Sequence, residues 1–369
     1  MRPWLVPALL ALLAMAPAPA RAQESGPALP AISGAVYAIA PDGAGGWFLA
    51  GRFDRVRGIE RSNLAHVLAD GSLAMWNPNA DGAVFALSVS DGAVYAGGEF
   101  RNIGGQARSG IAALDATTGL ATRWSADADG PVTALAVSGA TVYAGGAFSN
   151  IGGQPRRGLA ALGAENGRAS QWNPDLDGPV SAILLSGGSV FVGGGFTRVG
   201  QLERRNLAAL DPGSARATSW NPDVSSAVAA LVMGDGIIYV GGCFSEIGGV
   251  ERHHLAAVDL ESGLATSWNP SVDNAVFALA VDGETVYVAG CFSRVGRQAR
   301  GHLAAVDRTS GLATLWNPDA NAGVTALAVS GQRIYAGGAF TRIGGLARDR
   351  IAMLEPRPGP ALTWIEGVE

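Results

Sequence analysis

Residues 141–172 read TVYAGGAFSNIGGQPRRGLAALGAENGRASQW, and this stretch decides the fold because the chain repeats its pattern every 48 residues. It contains a β-branched and aromatic run, a Gly-rich turn, a second apolar run and an Asn-Gly turn that precedes Trp172. The run GPVTALAVSG at 130–139 comes just before it and predicts one more buried strand. We therefore expect four short antiparallel strands per repeat, with a Gly-rich loop between the second and the third.

The interval is set by seven tryptophans at positions 76, 124, 172, 220, 268, 316 and 364. Four-stranded repeats of about 40 to 50 residues are typical of propeller blades. The sequence thus predicts an all-β fold, a seven-bladed β-propeller with four antiparallel strands per 48-residue blade. The predicted blades are 34–81, 82–129, 130–177, 178–225, 226–273, 274–321 and 322–369.

The positions at which the repeats begin and end predict how the first and last blades meet. Because the seven predicted units end at Glu369, each blade would be complete in sequence. We expect closure by apolar packing between the first and last blades, unless residues 23–33 add a latch.

The recurring aromatic and glycine residues favour an architectural interpretation. The tryptophans and a second column, Tyr95, Tyr143, Phe191, Tyr239, Tyr287 and Tyr335, would pack between neighbouring sheets. Stacking of sugars on exposed tryptophans is the functional alternative. The Gly-Gly pairs lie inside strands and precede no helix or lysine, so they predict close backbone approach or a bulge rather than a phosphate cradle.

Charged side chains recur in the loops that leave one end of the predicted sheets. The candidate binding set is an arginine column, Arg61, Arg108, Arg156, Arg204, Arg252, Arg300 and Arg348. Carboxylates follow the tryptophans at Asp81, Asp127, Asp129, Asp175, Asp177, Asp223, Asp273 and Asp319. Arg–carboxylate contacts and Asx turns would tie the blades together. The alternatives are anion binding by free guanidiniums, or Ca²⁺ at the Asp-x-Asp-Gly loops, which alone supply too few ligands.

Two blades depart from the repeat in a way that suggests metal chemistry. Cys243 and Cys291 share one column, and His254 and His302 share another, so ligand types suited to zinc occur together. Equivalent positions on neighbouring sheets lie roughly 10 Å apart, which opposes both a shared zinc site and a disulfide. Three states stay open: buried free thiols, a disulfide typical of exported proteins, and a metal site. We expect no metal and no cofactor.

The N-terminus predicts export. Arg2, the apolar run Leu5–Met15 and Ala20-Arg21-Ala22 form a signal peptide at 1–22, followed by a linker at 23–33. No later segment is apolar for long enough to span a membrane. We therefore predict a secreted, periplasmic or cell-surface protein.

Composition and motifs give little support to catalysis or nucleic-acid binding. The net charge is −5, all basic residues are arginines, and no basic tract occurs. No nucleophile elbow or HExxH motif is present, and His66 stands alone in the first blade. The leading hypothesis is a non-catalytic binding or scaffold propeller that presents its loop face to a protein or a glycan. The alternative is a propeller enzyme, a hydrolase or lyase with a dispersed site at the channel mouth.

The repeat also resembles known propeller families. The elements VYAGGAF, NIGGQPRRGLAAL and NGRASQWNPD resemble the delta-60 type β-propeller repeat of exported bacterial proteins, over residues 34–369. The segment Leu114–Gly119, followed by Trp124, is more loosely similar to quinoprotein propeller repeats. Those enzymes bind a quinone through residues outside such repeats, and this sequence has no matching set. The resemblance implies a propeller fold and export, and it supplies no catalytic residues.

Overall fold

The described part of the chain, residues 30–331 and 333–356 of a computed structural model, is built from β-strands. It holds seven three-stranded antiparallel sheets and seven two-stranded hairpins, one of each for every repeat. The predicted all-β propeller architecture is confirmed. The predicted signal peptide at 1–22 and Trp364 lie outside the described residues. The repeats are called units 1 to 7 below, in chain order.

The strand bounds follow the same order in every unit. The first strands are Ala35–Pro41, Val84–Ser90, Val132–Ser138, Val180–Ser186, Val228–Gly234, Val276–Asp282 and Val324–Ser330. The second strands are Trp47–Arg52, Ala93–Gly98, Thr141–Gly146, Ser189–Gly194, Ile237–Gly242, Thr285–Gly290 and Arg333–Gly338. The third strands are Leu64–Val67, Ile111–Asp115, Leu159–Gly163, Leu207–Leu210, Leu255–Asp259, Leu303–Asp307 and Ile351–Leu354.

The hairpins lie between the second and third strands, where the sequence predicted a Gly-rich loop. Their paired strands are Arg55–Val56 with Ile59–Glu60, Asn102–Ile103 with Gln106–Ala107, Asn150–Ile151 with Gln154–Pro155, Arg198–Val199 with Leu202–Glu203, Glu246–Ile247 with Val250–Glu251, Arg294–Val295 with Gln298–Ala299, and Arg342–Ile343 with Leu346–Ala347.

The predicted fourth strand is reduced to one contact. In unit 3 the second strand lies between the first and the third, and beyond the third strand only Leu162 and Ala169 form a bridge. The segment then leaves the sheet because Trp172 turns into the interface with unit 4, where its indole is buried. The fourth element is thus an anchor between units rather than a full strand.

The hydrophobic core lies between neighbouring units. Each of the seven buried clusters joins apolar side chains of two adjacent units, as Tyr143 and Trp172 of unit 3 join Val180 and Val190 of unit 4. The Gly-Gly pairs permit close approach on both sides: a Cβ on Gly145 would lie 2.7 Å from Cγ1 of Val180 in unit 4, and one on Gly146 would lie 2.1 Å from the main-chain oxygen of Pro131. The predicted close backbone approach at these glycines is confirmed.

The described residues also show how the ring closes. The first strand of unit 1 packs against the first strand of unit 7, and Thr325 donates a 2.6 Å hydrogen bond to the main-chain oxygen of Val36. Ile32 is buried in the cluster shared by these two units. The Ser33 hydroxyl accepts hydrogen bonds from the main-chain N–H groups of Asp54 and Arg55. Ile32 thus adds to the apolar packing between the first and last units, whereas Ser33 ties the entering chain to the hairpin of unit 1.

Within residues 30–331 and 333–356, no helix is long and apolar enough to cross a lipid bilayer.

Candidate functional site

Chain direction sorts the connections onto two faces of the ring. The hairpins and the linkers from one unit to the next leave the sheets at one end, called the hairpin face. The turns between the first and second strands, and those after the third strands, leave at the opposite end, called the turn face. This follows from the antiparallel pairing within each sheet. The predicted arginine and aspartate columns both belong to the hairpin face.

The linker aspartates fasten each hairpin to the unit before it. One oxygen of Asp129 accepts hydrogen bonds from the main-chain N–H groups of Ser149 and Asn150, at 2.8 and 2.9 Å. The other oxygen accepts one from the Asn150 amide at 2.7 Å. Burial opposes ionisation of Asp129, but these hydrogen bonds outweigh it and lower its pKa. The same arrangement recurs at Asp81, Asp177 and Asp273, and Asn321 and Ser225 take the acceptor role in their units.

The Asp-x-Asp-Gly loops use their carboxylates internally. Asp127 accepts hydrogen bonds from the Ser109 main chain and the Ser125 hydroxyl, both at 2.9 Å. In the part of the chain that the structure describes, no three His, Cys, Asp or Glu side chains are placed to hold a metal ion. The aspartates of these loops therefore act as turn and hairpin acceptors.

The arginine column is buried or half-buried and faces main-chain oxygens. Arg61 is 8% exposed and donates to the carbonyl oxygens of Glu60 and Ala74, at 2.8 and 2.9 Å. Arg204 donates in the same way to Glu203 and Thr218, at 2.8 and 2.7 Å. Equivalent bonds recur at Arg108, Arg156, Arg252 and Arg300, and Arg348 donates to Ala347.

These contacts differ from the predicted Arg–carboxylate ring. In units 1 to 6 the guanidiniums tie the second strand of the hairpin to the segment that precedes the tryptophan. The acceptors are main-chain carbonyl oxygens, which the sequence cannot distinguish because every residue has one. Ion pairs on this face use neighbouring arginines instead, such as Arg157 with Asp175 at 3.0 Å and Arg205 with Glu203 at 2.7 Å. Among the described residues, the column is thus better placed to shape the face than to present free cations.

The cysteine and histidine columns form no joint centre. Cys243 and Cys291 are both free and exposed, so the alternatives of buried thiols and a disulfide are wrong for this structure. His254 and His302 both have φ of 62°, at a position where units 1 to 4 place Asn or Gly and unit 7 places Arg350, with φ of 71°. They occupy the left-handed turn that ends the hairpin, and this backbone requirement accounts for their shared column.

His66 has a partner that the sequence did not reveal. Its Nε2 lies 2.9 Å from a carboxylate oxygen of Asp42, and its ring stacks on Phe48 with centroids 4.2 Å apart. Burial opposes ionisation of Asp42, but hydrogen bonds from His66, Ala44 and Gly46 lower its pKa. No hydroxyl or thiol of the described residues is hydrogen-bonded to this pair, so it lacks a nucleophile and fixes a turn of unit 1.

Apolar side chains are exposed at four of the hairpins. Ile59, Leu202, Val250 and Leu346 occupy the same position, the first residue of the second hairpin strand, and are 50%, 47%, 42% and 46% exposed. They come from adjacent units, 7 with 1 and 4 with 5. A depression of about 440 Å³ lies in unit 1, where Arg52, Phe53 and Asp81 line it. Sequence reasoning missed this set because the other units carry glutamine there.

Comparisons with known proteins agree with the fold. Residues 33–311 match the model of the family described as outer membrane protein assembly factor BamB, which supports the similarity to quinoprotein-type propeller repeats. No curated protein matches the chain. Similar solved structures include the computationally designed Ika8 protein, at 16% identity and a TM-score of 0.57, covering 90% of this chain and 100% of that one. Another is U3-55K, at 10% identity and a TM-score of 0.59, covering 87% of this chain and 95% of that one. At these identities the two structures show the fold alone.

Proposed function

This chain belongs to the outer membrane protein assembly factor BamB family, and on that premise we propose that it is an exported, non-catalytic scaffold that binds a protein partner through its hairpin face. The family description names an assembly factor, and assembly factors act by contact with other proteins. Export to the periplasm or the outer membrane agrees with the signal peptide predicted at residues 1–22. The delta-60 resemblance points to the same compartment.

The observation that carries the proposal is the set of apolar side chains on the hairpins. Ile59 and Leu346 lie on adjacent hairpins, and so do Leu202 and Val250, and all four are nearly half exposed. Contiguous apolar groups within a polar rim mark surfaces that a protein partner covers. A partner that buries such side chains gains roughly 25 cal/mol for each Å² removed from water.

The hydrogen bonds of this face make it a preformed surface. The hairpin of unit 3 is fastened at one side by the linker acceptor Asp129 and at the other by Arg156, which donates to the main-chain oxygen of Ser170, and the column arginines of units 1 to 6 share this contact. A surface that is already ordered loses little conformational entropy when a partner binds. The arginine column contributes to binding in this proposal by positioning the hairpins.

The test is site-specific cross-linking in the source bacterium. A photo-reactive residue placed at Leu202 or Ile59 is expected to capture a component of the outer membrane protein assembly apparatus, identified by mass spectrometry. The matched control is Leu264, an apolar residue 68% exposed on the turn face, which is expected to capture nothing in common with them. Cross-links only from Leu264, or none to an assembly component, would overturn the proposal.

Genetic complementation gives a second readout. Loss of the gene is expected to lower the amount of folded outer membrane proteins, and the wild-type chain is expected to restore it. A variant with Ile59→Asp, Leu202→Asp, Val250→Asp and Leu346→Asp should fail, whereas Leu264→Asp with Leu312→Asp should succeed. Fractionation of the same cells checks export, since a protein retained in the cytoplasm would contradict the proposed location.

A further inference from the structure

The interface between units 5 and 6 contains a guanidinium held by three acceptors. Arg308 of unit 6 donates to a carboxylate oxygen of Asp235 at 2.7 Å, to the Tyr239 hydroxyl at 3.3 Å and to the main-chain oxygen of Gly283 at 2.6 Å. The Arg308 side chain is only 12% exposed. This arrangement is a complete recognition site for a guanidinium, with the ligand supplied by the chain itself.

Three repeats earlier, the interface between units 2 and 3 carries the same acceptors. Asp91, Tyr95 and Gly139 occupy the positions of Asp235, Tyr239 and Gly283. Asp91 and Asp235 even share a left-handed backbone, with φ of 48° and 47°. The position of Arg308, however, is Ala164 in unit 3, so the acceptors lack the side chain that fills the other interface.

The space left by Ala164 is a cavity of about 360 Å³. Its walls include Asp91, Tyr95, Arg123, Trp124 and Glu165. Tyr95 is 6% exposed and lines this cavity, and among the described residues its hydroxyl forms no hydrogen bond within the chain. The hydroxyl oxygen is open to the cavity, where it can accept a hydrogen bond from a ligand. Asp91 accepts one hydrogen bond, from Ser90 at 3.1 Å, and keeps further acceptor capacity.

At other interfaces, the residue at the position of Tyr95 and the residue at the position of Ala164 complement one another. Phe191, which has no hydroxyl, faces Leu260 across the interface between units 4 and 5, and Tyr287 donates to the main-chain oxygen of Pro356. A similar cavity of about 290 Å³ lies beside Tyr143 and Pro212, but the position of Asp91 is Gly187 there. Among the described interfaces, the one between units 2 and 3 combines open space, a tyrosine hydroxyl and a carboxylate.

We propose that the cavity between units 2 and 3 is a binding site for the guanidinium group of an arginine. Asp91, Tyr95 and the main-chain oxygen of Gly139 accept its hydrogen bonds, as their counterparts do from Arg308. The site lies on the turn face, away from the hairpins, so it is independent of the proposed scaffold function.

Two differences between this interface and the interface of units 5 and 6 determine which ligands fit the cavity. Ser90 stands where unit 5 has Gly234, whose Cβ would lie 3.2 Å from Nη2 of Arg308, so the ligand sits a few tenths of an ångström further out. Arg123 and Glu165 add one charge of each sign to the rim. Glu165 favours a cation, and Arg123 can face the α-carboxylate of free arginine. Free arginine and an arginine of a polypeptide share the guanidinium, and the experiment separates them.

Calorimetric or NMR titration with agmatine tests the site. We expect saturable binding with a Kd on the order of 1 mM. Asp91→Asn and Tyr95→Phe should each weaken it at least about fivefold, because each removes an acceptor. The matched control is Asp235→Asn, which should leave agmatine binding unchanged. Absence of saturable binding, equal binding of butylammonium, or full binding by Asp91→Asn would overturn the assignment.

Filling the cavity gives a readout that needs no ligand. Ala164→Arg recreates the interface of units 5 and 6, so it should abolish agmatine binding and raise the Tm by about 1–2 °C. Ala164→Leu should block binding without that gain, and Asp91→Asn should cancel the gain of Ala164→Arg in a double-mutant cycle. No coupling in this cycle would contradict the assigned contacts.

The two sources of the guanidinium are then compared. Tighter binding of L-arginine than of its amide assigns the site to the free amino acid, whose carboxylate contacts Arg123. Equal binding of the two, with an arginine-containing peptide also bound, assigns it to an arginine side chain of a partner protein.

Discussion

The indole N–H of Trp172 in unit 3 donates a 3.1 Å hydrogen bond to the main-chain oxygen of Asp211 in unit 4. Its ring meets Tyr143 edge to face, with centroids 5.3 Å apart. The same bond, always to a residue 39 positions later, recurs at Trp76, Trp124, Trp220, Trp268 and Trp316. The six described tryptophans of this column thus both pack and form hydrogen bonds between neighbouring units, and with at most 6% of each residue exposed they offer no platform on which a sugar could stack.

Shortening Trp172 should therefore weaken the contact between units 3 and 4. Trp172→Phe removes the hydrogen bond and part of the ring and should cost about 2 kcal/mol, whereas Trp172→Ala should cost about 3–5 kcal/mol. Urea unfolding followed by circular dichroism measures both. Met75→Ala, at an adjacent position of the repeat but 91% exposed, should change stability by less than about 0.5 kcal/mol. Equal effects of Trp172→Ala and Met75→Ala would contradict this role.

The linker aspartates should make stability depend on acid pH. Burial opposes ionisation of Asp81, Asp129, Asp177 and Asp273, but their hydrogen bonds outweigh it and lower each pKa below the ordinary value of 3.8. A lowered folded-state pKa adds stability above about pH 4 that is lost as the pH falls through the folded pKa.

Replacing all four by asparagine should flatten the decrease of Tm between pH 5 and pH 2. At pH 7 the loss should be small for each site, because Asn321 already serves as the acceptor in unit 7. Asp129→Ala should cost more, about 1–2 kcal/mol, since two main-chain N–H groups lose their acceptor. If the decrease of Tm between pH 5 and pH 2 is unchanged in the asparagine variant, then other carboxyl groups cause that decrease.

The two cysteines should react as surface thiols. Cys243 and Cys291 are free and exposed, so the native protein should take up two equivalents of a maleimide, detected by mass spectrometry. Cys243→Ser and Cys291→Ser should each remove one equivalent and leave the Tm unchanged. A disulfide found in the purified protein, or labelling only after unfolding, would contradict the exposed positions.

Residue type and interval predicted much of this fold, and the failures have physical causes. The 48-residue spacing of Trp172 and its equivalents predicted the units and the packing between them, because large aromatics and alternating apolar runs constrain strands directly. The role of Arg61 could not be predicted from the sequence, because its acceptors are main-chain carbonyl oxygens and every residue has one. The guanidinium site needed the repeats to be compared position by position across an interface, where Ala164 replaces Arg308.

Backbone conformation predicts an asymmetric response at the histidines. His302 has φ of 62° and a buried Nδ1 without a partner among the described residues. Asn206, at the same position in unit 4, donates its amide to the Val224 carbonyl at 2.8 Å. His302→Asn should therefore gain about 0.5–1 kcal/mol, and His302→Val should lose about 1–3 kcal/mol because a β-branched residue is strained there. Thermal unfolding measures both, and equal Tm values would contradict the account.

The arginine column allows a direct test of whether its side chains hold the hairpins in place or contact a ligand. Both terminal nitrogens of Arg61 donate to carbonyl oxygens, one in the hairpin and one at Ala74 before Trp76. Lysine cannot span both acceptors, so Arg61→Lys should cost about 1–2 kcal/mol and speed amide exchange in residues 54–61. The third strand, Leu64–Val67, should keep its protection.

The matched control is Arg55→Lys, whose exposed side chain bonds only Gly58, and it should change stability by less than about 0.5 kcal/mol. If the arginines act by holding the hairpins, cross-linking from Ile59 should fall in Arg61→Lys in proportion to the faster exchange. The opposite pattern, normal exchange with lost cross-linking, would mean that the Arg61 guanidinium contacts the partner itself. Because the carbonyl contacts already occupy both terminal nitrogens, we expect the first result.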